Sequence, residues 1–145
     1  MGKFKFKFEN IVRIKDALKK KIQRDISLID NKVLKIRRNI DEIRTAFANE
    51  KKLKYSSHIF AKDLQSIERH EVFIKKKINS FENEIEKLNN LRKKKLEELS
   101  KILSDEKMFD ILKEKHLQKF AYEENKAETK AFDELAIQKA GRDKK

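Results

Sequence analysis

At 145 residues the chain is long enough for one ordinary domain, yet 43% of it is charged, Pro, Trp and Cys are absent, and Gly occurs only at positions 2 and 141. A compact sheet-containing fold needs turns, and turns draw on Gly, Pro, Asn and Asp for their backbone angles; with so little punctuation, a few long helices are the economical architecture. The net charge of +13, from 38 Lys+Arg against 25 Asp+Glu, favours an acidic counterpart without naming one, and the lack of Cys excludes disulfide and thiolate chemistry.

The chain opens on Lys3-Phe4-Lys5-Phe6-Lys7-Phe8, a strict alternation with the period of an extended segment. It is too short to form a sheet alone and reads as a basic aromatic arm over 1–8. Three aromatics among lysines exceed what a two-helix hairpin is expected to bury. Docking into another protein, docking onto an anionic membrane, and a local staple are therefore all open readings for Phe4, Phe6 and Phe8.

A helical pattern follows over 9–48. From Ile22 the apolar positions Ile26, Ile29, Val33, Ile36, Ile40, Ile43 and Phe47 repeat at alternating steps of three and four. The mean period of 3.5 residues is that of left-handed helix pairing. The steps Ile14–Leu18–Ile22–Ile26 are three fours in succession, a stutter that locally unwinds such a supercoil. Disorder, the alternative for so charged a chain, does not produce a stripe of this length.

The stripe loses phase over 49–58, where Asn49, Ser56 and Ser57 supply a turn, and either serine can cap a following helix. It resumes over 59–140 through Phe60, Leu64, Ile67, Ile74, Ile78, Phe81, Ile85 and Leu88. The expected fold is all-α: two long helices in an antiparallel coiled-coil hairpin forming a single domain, with 141–145 a disordered tail. If the turn is centred near Lys54, residues facing each other have numbers summing to about 107. Ile40 then lies near Ile67, Val33 near Ile74 and Ile26 near Phe81. In that register everything after Leu99 overhangs the first helix. Phe109, Leu112, Leu117 and Phe120 stay uncovered until a partner binds, the segment folds back, or the chain dimerises through it.

No catalytic constellation emerges. Two terminal-region glycines cannot make a phosphate loop, and His58, His70 and His116 are dispersed. His70-Glu71 begins like a zinc-protease motif, but position 74 is Ile. Ser100 and Ser104 have no His or Asp companion at motif spacing. The runs Lys19-Lys20-Lys21, Lys75-Lys76-Lys77 and Arg92-Lys93-Lys94-Lys95 lack the interleaved aromatics of a nucleic-acid surface and read first as solvated helix faces. No catalytic residue, metal ligand or cofactor is expected. No stretch approaches the roughly 20 apolar residues of a membrane span, and no apolar signal core opens the chain, so a soluble cytosolic protein is the expectation.

The Lys-Phe-Lys-Phe-Lys-Phe-Glu start, the hairpin layout, and Glu114-Lys115, Glu123-Glu124, Glu128 and Lys130 before Asp133-Glu134-Leu135-Ala136 resemble the bacterial flagellar export protein FliJ family. The resemblance implies a non-enzymatic component of the flagellar type III export apparatus, similar in architecture to the two-helix stalk of the rotary ATP synthase gamma subunit. Its implied partners are the export ATPase ring, whose assembly and activity it promotes, the membrane export gate, and export chaperones. The implied location is the cytoplasmic face of the inner membrane at the flagellar base, with no nucleic acid. The resemblance puts the gate contact at His70, Phe73, Ile74, Lys77 and Phe81. The ATPase-docking end carries Phe4, Phe6, Phe8, Phe109, Leu112, Leu117 and Phe120. The equivalent protein of a virulence secretion system, and a basic coiled coil on nucleic acid or membrane, are the alternatives.

Overall fold

The computed structural model describes residues 2–56 and 60–143, so Ser57, His58 and the last two positions of the expected tail lie outside the described residues. The protein is an all-α helical hairpin, α1 (Glu9–Tyr55) and α2 (Ala61–Asp143), with α2 the longer helix. It divides into two compact units: a terminal unit (2–19 with 101–143) and a central unit (20–100).

In the central unit the sequence stripe is the seam. Ile22, Ile26, Ile29, Val33, Ile36 and Ile40 of α1 are buried, as are Ile67 and Ile74 of α2. Ile43, Phe47, Ile78, Phe81, Ile85 and Leu88 are half-buried along the same line. Each fully buried Ile or Val of this kind is worth roughly 1.5–3 kcal/mol of transfer free energy. That burial, rather than helix propensity, holds helices of this length in water.

Two expectations are corrected here. Helix α1 does not stop at 48 but runs on to Tyr55. Lys51, Lys52 and Lys54 are good helix formers, and Glu50 pairs with Lys54 at 3.2 Å across one turn. The cross-helix pairs Asp30–Arg92, Lys51–Glu71 and Asp25–Lys95 have residue numbers summing to about 121, not 107. The register is therefore displaced by about 14 residues, two heptads, so apolar still meets apolar although every partner changes.

The second correction concerns Phe60 and Leu64, which are not seam residues: Phe60 is 72% exposed and Leu64 is also exposed, because in this register α1 ends before it reaches a position opposite them. Phe60 instead starts α2. Its carbonyl accepts from the Asp63 and Leu64 N–H groups, while its own N–H donates to Asp63 Oδ2 at 3.3 Å, the return half of a capping box. Ser56 closes α1 rather than opening α2, its hydroxyl donating to the Leu53 carbonyl at 2.9 Å.

Ion pairs flank the seam on its half-exposed edges. Arg92 Nε donates to Asp30 Oδ1 at 2.7 Å, and Lys95 lies 3.5 Å from Asp25. Exposed pairs of this kind contribute roughly 0–1 kcal/mol each, so they choose the register more than they stabilise it.

Candidate docking surface

The terminal unit is built on a different principle. Its arm is non-helical through Phe6, and the alternation read in the sequence sorts the side chains by exposure. Phe6 is buried and Phe4 and Phe8 are half-buried, while Lys3, Lys5 and Lys7 are exposed. The three aromatics lie against α2. Phe4 packs on Phe120 with ring centroids 5.5 Å apart, and Phe8 on Phe109 at 6.0 Å. Phe6 meets Phe8 and His116 edge to face at 5.7 and 5.8 Å. Such aromatic pairs add about 0.5–1.5 kcal/mol each beyond area burial. Phe6 is the only fully buried apolar side chain of this unit among the described residues.

Of the readings open for the arm, the structure takes the local staple, and it corrects the expectation that α2 is uncovered after Leu99. The three aromatics are accommodated within the chain, because α2 extends past the start of α1 and offers them a surface. Phe109, Leu112 and Phe120 are correspondingly half-buried rather than uncovered, and only Leu117 of that group is exposed. The segment of α2 that nothing covers begins after Phe120: from Ala121 to Arg142 every side chain but Glu124 is exposed, including Phe132, Leu135 and Ile137.

Where α1 and α2 pair in this unit, the seam positions Lys15, Asp16 and Lys19 are charged and half-buried beside Val12. Lys15 Nζ donates to Asp105 Oδ2 at 2.7 Å, Lys19 Nζ lies 3.0 Å from Glu106, and Lys113 lies 3.8 Å from Glu9. The hydrogen bond to Glu106 holds the Lys19 ammonium above its ordinary pKa; burial opposes the rise, and Asp16 adds to it. A raised folded pKa stabilises below the unfolded value of 10.5 and ceases to do so as pH rises through the folded value. The stability difference between the wild type and Lys19→Met is therefore constant from pH 6 to 9 and shrinks only in alkali. Melting curves across that range check it.

With charges in the seam, the apolar residues stand beside it. Ile11, Ile14 and Leu18 are all exposed. The stutter explains why: each step of four advances about 40° around an α-helix, so a row of fours drifts off the contact line. Position by position, this row turns into the seam only at Ile22. The sequence carried this signal in its spacing, as the three successive steps of four from Ile14 to Ile26.

The residues expected at the export gate lie in the central unit and divide by exposure. Ile74 is buried in the seam and lines a groove with Phe47, Ile78 and Lys51. Phe81 is half-buried. His70 is half-buried, stacked edge-on against Phe47 at 5.3 Å with Nδ1 3.0 Å from Glu50 Oε2. Phe73, 60% exposed, and Lys77 face outward.

Two helices paired through an apolar seam, with aromatic and aliphatic side chains left at the surface, define a helical-hairpin protein of the coiled-coil class. The chain matches the flagellar FliJ protein family over residues 4–145 and belongs to it. It is thus a component of the flagellar type of protein export system. Comparison with curated proteins and with solved structures gives no match. No described helix is long and apolar enough to cross a membrane.

Proposed function

We propose that the terminal unit docks into the ring of the flagellar export ATPase and promotes its assembly and turnover without itself performing chemistry. The observation that carries this is the uncovered helix 121–142, set in the same unit as the exposed row Ile11, Ile14 and Leu18. A helix exposing Phe132, Leu135 and Ile137 is marginal in water and gains stability when those groups are buried by a partner. Phe4, Phe6, Phe8, Phe109, Leu112 and Phe120 then act by fixing the arm and α2 as one template, while Leu117 is free to touch the ring. A helix pair held off-axis in a six-fold ring favours closure of some subunits over others, which is sufficient to stimulate turnover.

The same reading assigns contact with the membrane export gate to the outward-facing Phe73 and Lys77 and to the half-exposed His70; Ile74 and Phe81 support them from the seam. Export chaperones are the remaining partners in this reading. Membership of a flagellar family favours it over a virulence secretion system.

The test is a chain ending at Phe120. Stimulation of the cognate ATPase should fall at least tenfold while the central unit melts unchanged. Full stimulation by that chain would exclude 121–143 as the docking segment. The double variant Ile14→Asp, Leu18→Asp should weaken ring binding with little change in melting, since both positions are exposed.

A further inference from the structure

The outer face of α1 in the central unit has a charge pattern that neither seam nor solubility requires. Between residues 21 and 38 every exposed charged side chain is a cation: Lys21, Arg24, Lys32, Lys35, Arg37 and Arg38. The two carboxylates of this stretch, Asp25 and Asp30, are half-buried and are taken across the seam by Lys95 and Arg92 at 3.5 and 2.7 Å. They therefore offset α2 cations rather than the exposed cations of their own stretch. The outer face of α2 over 82–100 differs, mixing Glu82, Glu84, Glu86, Glu97 and Glu98 with its lysines. Two leucines stand exposed on this face, Leu28 in the middle of the cations and Leu34 beside Arg38 at their margin.

We infer that this face of α1 binds an anionic lipid surface directly, with the helix axis parallel to the membrane plane. At about 100° per residue Lys21, Arg24, Lys32 and Lys35 fall within about 80° of arc around Leu28, with Arg38 and Leu34 at one margin; the stretch rises about 26 Å at 1.5 Å per residue, so these cations can reach headgroups together. Leu28 and Leu34 are exposed on the side of the helix away from the seam. A folded protein partner must supply a pocket for each, whereas a fluid interface admits protruding leucines wherever they fall, as lysine and arginine stems extend to the headgroups around them. Charge complementarity supplies the remainder, and such binding weakens with salt. The contact is independent of ATPase docking, which uses other residues.

The chain has no Trp, so Leu34→Trp places a single indole at the margin of the strip in the full-length protein. With vesicles of phosphatidylcholine containing about one third phosphatidylglycerol, its emission should shift to the blue and the protein should co-sediment; about 0.5 M salt should release it. Pure phosphatidylcholine vesicles should give neither effect. Neutralising Lys35→Gln and Arg38→Gln should weaken binding about 30-fold, from roughly fivefold per cation. Lys93→Gln with Lys94→Gln on α2 should change it less than threefold. Circular dichroism confirms that each variant remains helical. No sedimentation with anionic vesicles at low salt, or equal losses from the α1 and α2 variants, overturns the inference. So does binding to a short DNA duplex that is tighter than to vesicles and lost in the same α1 variants.

Discussion

Replacing Ile36 by aspartate unfolds the paired helices of the central unit under conditions where replacing Leu34, two positions away, does not. Ile36 is 8% exposed in the seam, whereas Leu34 is 53% exposed on the outer face. The Ile36→Asp change removes a buried side chain worth roughly 1.5–3 kcal/mol and forces a carboxylate into its place. The group must then neutralise or drag water into the seam, for a combined loss of roughly 4 kcal/mol or more. Leu34→Asp removes no packed contact and adds a charge among cations, so its effect stays within about 0.5 kcal/mol. Urea midpoints by circular dichroism separate the two outcomes. Equal midpoints would mean that the stripe beginning at Ile22 is not the seam.

Phe6→Ala detaches the arm. Phe6 is 8% exposed, lies edge-on to Phe8 and His116, and has Lys113 Nζ 6.0 Å from its ring centroid. A fully buried Phe→Ala change in a large core costs about 3–5 kcal/mol; one ring held between an arm and a single helix should lose about 2–3 kcal/mol. The loss is local because the terminal unit joins its helices through charge pairs rather than a continuous apolar seam. Amide hydrogen exchange should speed up across the start of α1 and through 109–120, with protection of 26–40 unchanged. Phe4→Ala, at a half-buried position, should do the same to a smaller extent. Unchanged protection at 109–120 in Phe6→Ala would show that the arm contributes nothing to the order of α2 there.

Much of the fold was legible because a seam imposes a period. The alternation of three and four from Ile22 to Phe47 identified the buried row of α1, and the scarcity of Gly and Pro confined the chain to two helices. The register was not legible, since that same period makes every shift by a heptad nearly as good in apolar matching. Arg92–Asp30, Lys95–Asp25 and Lys51–Glu71 distinguish one register from another, but charges this abundant offer many equivalent pairings on paper. The missed register then propagated into the site: with the turn placed too early, Phe109, Leu112 and Phe120 were read as uncovered, and the arm was left without a surface to lie on.

The sequence by itself determined that the chain forms two long helices, the buried row of the central unit, and the two-faced arm in which Phe and Lys alternate, because each follows from spacing along one segment. Only the tertiary structure decided which turn of α2 meets which turn of α1, that Phe6 closes against His116, and that the uncovered helix starts after Phe120 rather than after Leu99. Those choices depend on where α1 ends. That point is set by a few tenths of a kcal/mol of helix propensity and pairing between Glu50 and Lys54, too little to stand out in a chain of uniformly good helix formers.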